Sequence, residues 1–138
     1  LIKHFIELRS VSPEGSAHVL DIDGLKDPSI KFWSLWEEGY LLGGGALKFL
    51  DKEHGEFKSI RVNDKFKGKG NGSKVVNHLI NEAKKLNIKR LSLETGAGDF
   101  FLVARKLFNK CGFESCKPFS HYRHDINSVY MTMLINNK

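Results

Sequence analysis

Between Phe57 and Leu86 a strand-like segment runs into a glycine-dense loop and then an amphipathic helix, and this succession constrains the fold more than any other stretch. Phe57 to Val62 reads as the strand, Gly68-Lys69-Gly70-Asn71-Gly72 as the loop. Val75, Val76, Leu79, Ile80, Ala83 and Leu86 then recur at helical spacing over about Gly70 to Leu86. Asn87, tolerant of the left-handed conformation, ends the helix, and Ile88 to Thr95 follows as a strand with Leu91 and Leu93 inward. Strand, loop, helix and strand form a βαβ unit, which makes its two strands parallel. The glycines let the backbone approach a ligand closely, and the new helix turns unpaired N–H groups and its positive dipole end toward an anion. Lys65, Lys67, Lys69 and Lys74 add positive charge around the same spot. Chemically, the stretch is a phosphate cradle.

Ahead of it, Ile30 to Glu37 is rich in aromatics (Phe32, Trp33, Trp36) and reads as a strand; Glu38-Gly39 is a turn, and Tyr40 to Leu50 and Glu56 to Val62 are two more strands. Together they form an antiparallel meander. Trp33 and Trp36, three apart, face opposite sides. Gly43-Gly44-Gly45, inside the second strand, marks a bulge or a close approach. At the front of the chain, Leu1, Ile2, Phe5, Ile6 and Arg9 suggest an amphipathic helix over Leu1 to Ser10. Asp21 to Lys26 reads as a short helical turn. After Gly96-Ala-Gly98, Asp99 is placed to cap a helix reaching Lys110. A short strand to Pro118, a polar loop from Phe119 to Asn127 and a last strand, Ser128 to Ile135, complete the chain.

A length of 138 residues, 41% hydrophobic and 28% charged, suits one soluble domain over 1–138 with a real core. No apolar run approaches the ~20 residues that span a bilayer, so no membrane partner is expected. Two cysteines, Cys111 and Cys116, offer neither a disulfide framework nor a metal pattern and read as free thiols in a reducing cytoplasm. The chain opens on Leu1 rather than Met, which reads as a leading piece removed or missing. A net charge of +6 admits nucleic acid, an acidic surface or a polyanionic cofactor as partner. Scattered charge without an aromatic stacking motif argues against nucleic acid.

Counting separates the phosphate motifs. A Walker A loop needs G-x-x-x-x-G-K-[ST], but Gly72 is followed by Ser73-Lys74, the reverse order. The dinucleotide fingerprint G-x-G-x-x-G would place its third glycine at Ser73. What fits is [Q/R]-x-x-G-x-[G/A] at Lys67-Gly68-Lys69-Gly70-Asn71-Gly72, where the chain resembles the GCN5-related N-acetyltransferase (GNAT) superfamily. A second block, Ala104-x-x-Leu107-Phe108-x-x-x-Gly112-Phe113, looks like the family's A-x-x-L-Y-x-x-x-G-F, and the likeness extends over roughly Ile30 to Ile135. Leu93-Glu94-Thr95-Gly96 and Asn127-Ser128-Val129-Tyr130-Met131 are similar to the YsnE-like group of small bacterial acetyltransferases. The implied fold is α+β: a mixed, mostly antiparallel central sheet with one splayed parallel pair and helices on both faces. Members begin with a strand ahead of the first helix, and that strand reads as missing here. A missing first strand would leave a sheet edge open to association, for instance as a homodimer.

The resemblance implies acetyl-CoA as acetyl donor, with its pyrophosphate on the N–H groups of Gly68, Lys69, Gly70, Asn71, Gly72 and Ser73. Lys67 stands where Gln or Arg is usual and keeps only the charge. The pantetheine arm would pair with the backbone of Ile60, Arg61 and Val62 in a gap bounded by Thr95, Ala104 and Phe108. A backbone N–H near Arg61 or Val62 would polarise the thioester carbonyl. Phe101 replaces a frequent Asn. Phe108 replaces a frequent Tyr that protonates the departing thiolate, so the acid is dispensable or comes from Tyr122 or Tyr130.

The implied activity is N-acetyl transfer to a primary amine of a small molecule or protein, directly in a ternary complex. The alternative is a non-catalytic acyl-CoA-binding module with a protein partner. An alkyl amine with a pKa near about 10 is mostly protonated at neutral pH, so a base is useful. Glu56 and Glu94, at strand ends beside the gap, are the two candidates; each also reads as a carboxylate paired with a lysine. Arg61 would meet a substrate carboxylate, or Glu94. His121 and His124 lack a third ligand at useful spacing, so no metal is expected.

Overall fold

The computed structural model describes residues 6–10, 29–66 and 70–135. Seven strands form one sheet: β1 (Ile6–Ser10), β2 (Ile30–Glu37), β3 (Tyr40–Phe49), β4 (His54–Val62), β5 (Arg90–Gly96), β6 (Glu114–Cys116) and β7 (Ser128–Leu134). Their spatial order is β1-β2-β3-β4-β5-β7-β6. Pairing is antiparallel throughout except between β4 and β5, which run parallel as a βαβ unit demands. Two α-helices lie among the described residues, α1 (Asn71–Lys85) and α2 (Leu102–Lys110).

The front of the chain differs from the sequence expectation. Ile6–Ser10 is a strand, not part of a helix, and it pairs along β2 from Ile6 opposite Glu37 to Ser10 opposite Trp33. The family's first strand is therefore present. Ile6-Glu7-Leu8-Arg9-Ser10 alternates apolar and polar with period two, and the open edge of β2 gives that pattern a ladder no isolated helix offers. The outer edge of β2 is consequently occupied, and the argument for association through it lapses. Residues 1–5 and the turn expected over Asp21 to Lys26 lie outside the described residues.

The core gathers on one face of the sheet. Trp33, Leu35, Leu47, Phe57, Leu91, Leu93 and Met131 pack with Val75, Val76, Leu79 and Ala83 of α1 and with Phe108 and Phe113. The i, i+4 recurrence of Val75, Leu79 and Ala83 explains why Asn71–Lys85 is helical. Fully burying side chains such as Leu79 contributes roughly 1.5–3 kcal/mol each. Asn87 ends the helix at a φ of 65°. Trp36 lies away from Trp33, donating its indole N–H to Ser34 at 2.9 Å.

The glycine triplet does what its position suggested. A Cβ on Gly45 would lie 2.8 Å from a Leu79 methyl, so its absence lets α1 settle on the sheet. The ladder with β4 also slips here: Ala46 pairs with Lys58 but Gly44 with Arg61, leaving Ser59 and Ile60 together opposite Gly45. This is a bulge, and Ser59 carries it at a φ of 55°. One detail of α2 departs from expectation. Asp99 opens a 3-10 turn, Asp99–Phe101, that leads into the helix, and no side chain caps either start. Phe101 lies against Gly96, where any Cβ would collide with its ring.

Candidate active site

The site begins where β4 and β5 part. Their ladder runs from His54 opposite Arg90 to Phe57 opposite Leu93 and stops, although β4 continues to Val62 and β5 to Gly96. Beyond Phe57 the backbone of β4 has no strand on its β5 side among the described residues. The opening is a cleft of about 400 Å³ lined by Glu56 to Arg61 of β4, Leu93 to Thr95 of β5, and Phe101, Ala104, Phe108 and Tyr122. Of the residues expected along the gap, Ile60, Arg61, Thr95, Ala104 and Phe108 line it. Val62 instead packs against the core.

The start of α1 lies at the far end of this split strand. Gly70 precedes the helix at a φ of 78°, with nothing within 4 Å of where its Cβ would be, and among the described residues no side chain caps the first turn. The N–H groups of that turn have no intrahelical partner, so an anion is the natural acceptor for them. Asn71 is buried and donates its side-chain amide to the carbonyl of Phe66 at 2.8 Å, which ties the helix start to the preceding turn. Lys74 reaches Glu37 at 3.5 Å, and Ser73 lies beside the Cys111 thiol. Lys67, Gly68 and Lys69 lie outside the described residues.

On the sheet face opposite the core the chemistry is carried by side chains. Glu56 is 3% exposed, and its carboxylate accepts a 2.6 Å hydrogen bond from the Tyr122 hydroxyl. Lys58 lies 3.7 Å from the same carboxylate oxygen. Three aromatic rings hold Tyr122 in place: Phe119 at 5.2 Å, Tyr130 at 5.5 Å and His121, stacked at 5.8 Å. Tyr130 in turn donates to the carbonyl of Arg123 at 2.9 Å, closing the Phe119–Asn127 loop over this face. Burial, and then the bond to Glu56, push the Tyr122 phenol well above the usual tyrosine range, so it stays a proton donor at working pH.

Glu94, the second carboxylate, sits exposed at the cleft rim and accepts from the Ser128 hydroxyl at 2.7 Å. Arg61 is exposed in the cleft with no hydrogen-bond or ion-pair partner among the described residues, so a pairing of Arg61 with Glu94 is not what the structure holds. No group of three or more His, Cys, Asp or Glu that could hold a metal occurs among the described residues. Burial raises both thiols, Cys111 and Cys116, which leaves them poor nucleophiles.

The sequence reading passed over a neighbouring network. His54 Nε2 lies 2.7 Å from the Ser92 hydroxyl, and Ser92 lies 3.0 Å from Thr132, which donates to the carbonyl of Leu91. Arg90 adds a donor to Thr132 at 3.1 Å. Burial is the largest influence on His54 and holds its imidazole below the usual histidine range. The signal available in the sequence was the alternation His54, Glu56, Lys58 on one strand face, which places three polar groups in a row.

A seven-stranded sheet that splits between parallel strands, with a buried carboxylate beside the split and a helix N-terminus past its end, is the framework of an acyltransferase. The family model for the acetyltransferase (GNAT) family matches residues 4–113, and the chain belongs to that family. It is 46% identical to the uncharacterized N-acetyltransferase YsnE of Bacillus subtilis (strain 168) over 130 residues, which are 94% of this chain and 86% of the relative. It is 39% identical to the uncharacterized N-acetyltransferase YedL of Escherichia coli (strain K12), over 96% of this chain and 83% of that protein. Among solved structures, a Bacillus subtilis acetyltransferase in complex with CoA shares the fold with a TM-score of 0.75 at 21% identity, over 97% of this chain and all of that one.

Proposed function

We propose that the chain moves an acetyl group from acetyl-CoA to a primary amine of a small molecule or protein, directly and in a ternary complex. One observation carries this reading: the parting of β4 from β5 after Phe57 and Leu93, with buried Glu56 beside the opening and the uncapped start of α1 past its far end. The residues fit a donor with a diphosphate at one end and a thioester at the other. The N–H groups from Gly68 to Ser73 take the diphosphate, Lys67 and Lys69 add charge, and the exposed backbone of Ile60 to Val62 pairs with the amide-bearing arm.

In the transfer the amine nitrogen bonds to the acetyl carbon, the carbon–sulfur bond breaks, and the sulfur leaves with the electron pair. Glu56 accepts the proton the amine must lose, directly or through a water. Tyr122 orients that carboxylate through its 2.6 Å bond, and Lys58 balances its charge. Glu94, exposed at the rim, guides the cationic amine inward. A backbone N–H near the bulge, from Arg61 or Val62, polarises the carbonyl. With Phe108 in the cleft and no hydroxyl there, the thiolate departs unassisted or takes a proton from Tyr122. Cys111 and Cys116, free and half-buried, agree with action in the reducing cytoplasm.

The test is thiol release from acetyl-CoA across a panel of primary amines. Turnover that requires an amine supports the reading. Tight acetyl-CoA binding with no turnover on any amine supports the binding-module alternative instead.

A further inference from the structure

The bulge at Ser59 does more than bend β4; it decides which way Arg61 faces. In an uninterrupted strand Glu56, Lys58, Ile60 and Val62 would share one face, and Arg61 would join Phe57 on the other. Here Ile60 and Val62 pack against the same core cluster as Phe57. Two residues opposite Gly45 have flipped the alternation, so Arg61 comes onto the face of Glu56 and Lys58.

On that face the charges are unequally occupied. Glu56 is held by Tyr122 and Lys58, and Glu94 by Ser128. Arg61, lining the cleft, has no partner among the described residues. A guanidinium is a planar fork of donors that matches a carboxylate with two parallel hydrogen bonds. We propose that the acceptor is an amine that also bears a carboxylate, with the carboxylate on Arg61 and the amine turned toward Glu56. On a strand, Glu56 and Arg61 lie on the order of 13 Å apart along the backbone with one bulged residue, a span that the two side chains and the acceptor share. The acceptor class is therefore one whose amine and carboxylate lie well apart, an ω-amino acid or a short peptide with both termini free, rather than a polyamine, whose second cation would meet Arg61 with repulsion.

This rests on the acetyltransferase reading above, and one experiment separates the two. ω-Amino acids and short peptides are offered as acceptors alongside their carboxamides, which keep the amine and remove the negative charge, each pair compared at a pH that gives the same neutral-amine fraction. The expected result is a preference of at least about tenfold in kcat/KM for the acids, carried mainly in KM. Arg61→Gln collapses that preference toward unity, and Arg61→Lys restores part of it. Amides acetylated as well as their acids, or Arg61→Gln raising the KM of acetyl-CoA instead of the acceptor's, overturns the proposal while the acetyltransferase reading stands. Thiol release with neither kind of amine, nor with polyamines, overturns both. Turnover with polyamines alone overturns only the proposal.

Discussion

The two halves of the cleft are built from different materials. On the side proposed for the donor the chemistry belongs to the backbone: the open edge of β4 beyond Phe57 and the N–H groups after Gly70. On the side proposed for the acceptor it belongs to side chains, Glu56, Lys58, Arg61 and Tyr122, drawn from residues as far apart as 66 positions. A backbone site tolerates changes of side chain but not of conformation. A side-chain site tolerates neither loss of a carboxylate nor loss of the group that aims it. The same protein should accordingly fail in two distinguishable ways.

The largest separation is expected from Glu56→Gln. Removing the proposed proton acceptor should lower kcat by about 10²–10⁴-fold while the acetyl-CoA dissociation constant, read by calorimetry, changes little. An equal loss of donor affinity would dissolve the distinction between the halves. Next is Tyr122→Phe, which deletes the 2.6 Å bond and leaves the rings to hold the loop. A bond to a charged group of this kind makes a difference of about 10–100-fold in kcat. The phenol itself supplies a second readout. Because burial and Glu56 raise it, the tyrosinate absorbance lost in Tyr122→Phe should not develop at pH 10, the ordinary midpoint for tyrosine.

The donor half is probed through conformation. Gly70→Val places a β-branched residue at a φ of 78°, where non-glycine residues are disfavoured by about 1–2 kcal/mol. Acetyl-CoA KM should rise by about tenfold or more, with a smaller effect on acceptor KM. The smallest effect concerns His54, whose folded-state imidazole is held low by burial. Below about pH 6.5 the unfolded chain binds the proton first, so stability falls as the pH drops through that range. Asp51, Glu56 and Arg90 face the ring, and the two carboxylates partly offset the effect. A melting-temperature comparison between pH 7.5 and 5.5 should therefore show a shallower decline in His54→Gln than in the parent.

The same division explains what the sequence disclosed. In the half proposed for the donor, the fold was legible because its pattern is local: the helix stripe from Val75 to Ala83 and the exit at Asn87 sit within one βαβ unit. The acceptor half was legible only as a list of candidates. That Tyr122 meets Glu56, and that Ser128 rather than Arg61 engages Glu94, depends on how a loop folds across strands distant in sequence. The exit of α1 followed from one residue, whereas Ile6–Ser10 was misread because a few apolar residues fit two periods and the arbiter was the open edge of β2, a long-range fact. The bulge at Ser59 left no local mark beyond the glycine triplet opposite it, yet it sets the direction of Arg61.

The central claim is that β4, past the point where β5 leaves it, holds the donor with its sulfur beside Glu56. A crystal structure of the protein with CoA tests this directly. The account predicts the diphosphate on the N–H groups between Gly68 and Ser73 and the thiol in the gap between Lys58–Val62 and Glu94–Gly96, open to the face that carries Glu56 and Tyr122. A diphosphate bound away from that loop, or a thiol opening onto the face of Phe57 and Leu93, would contradict it.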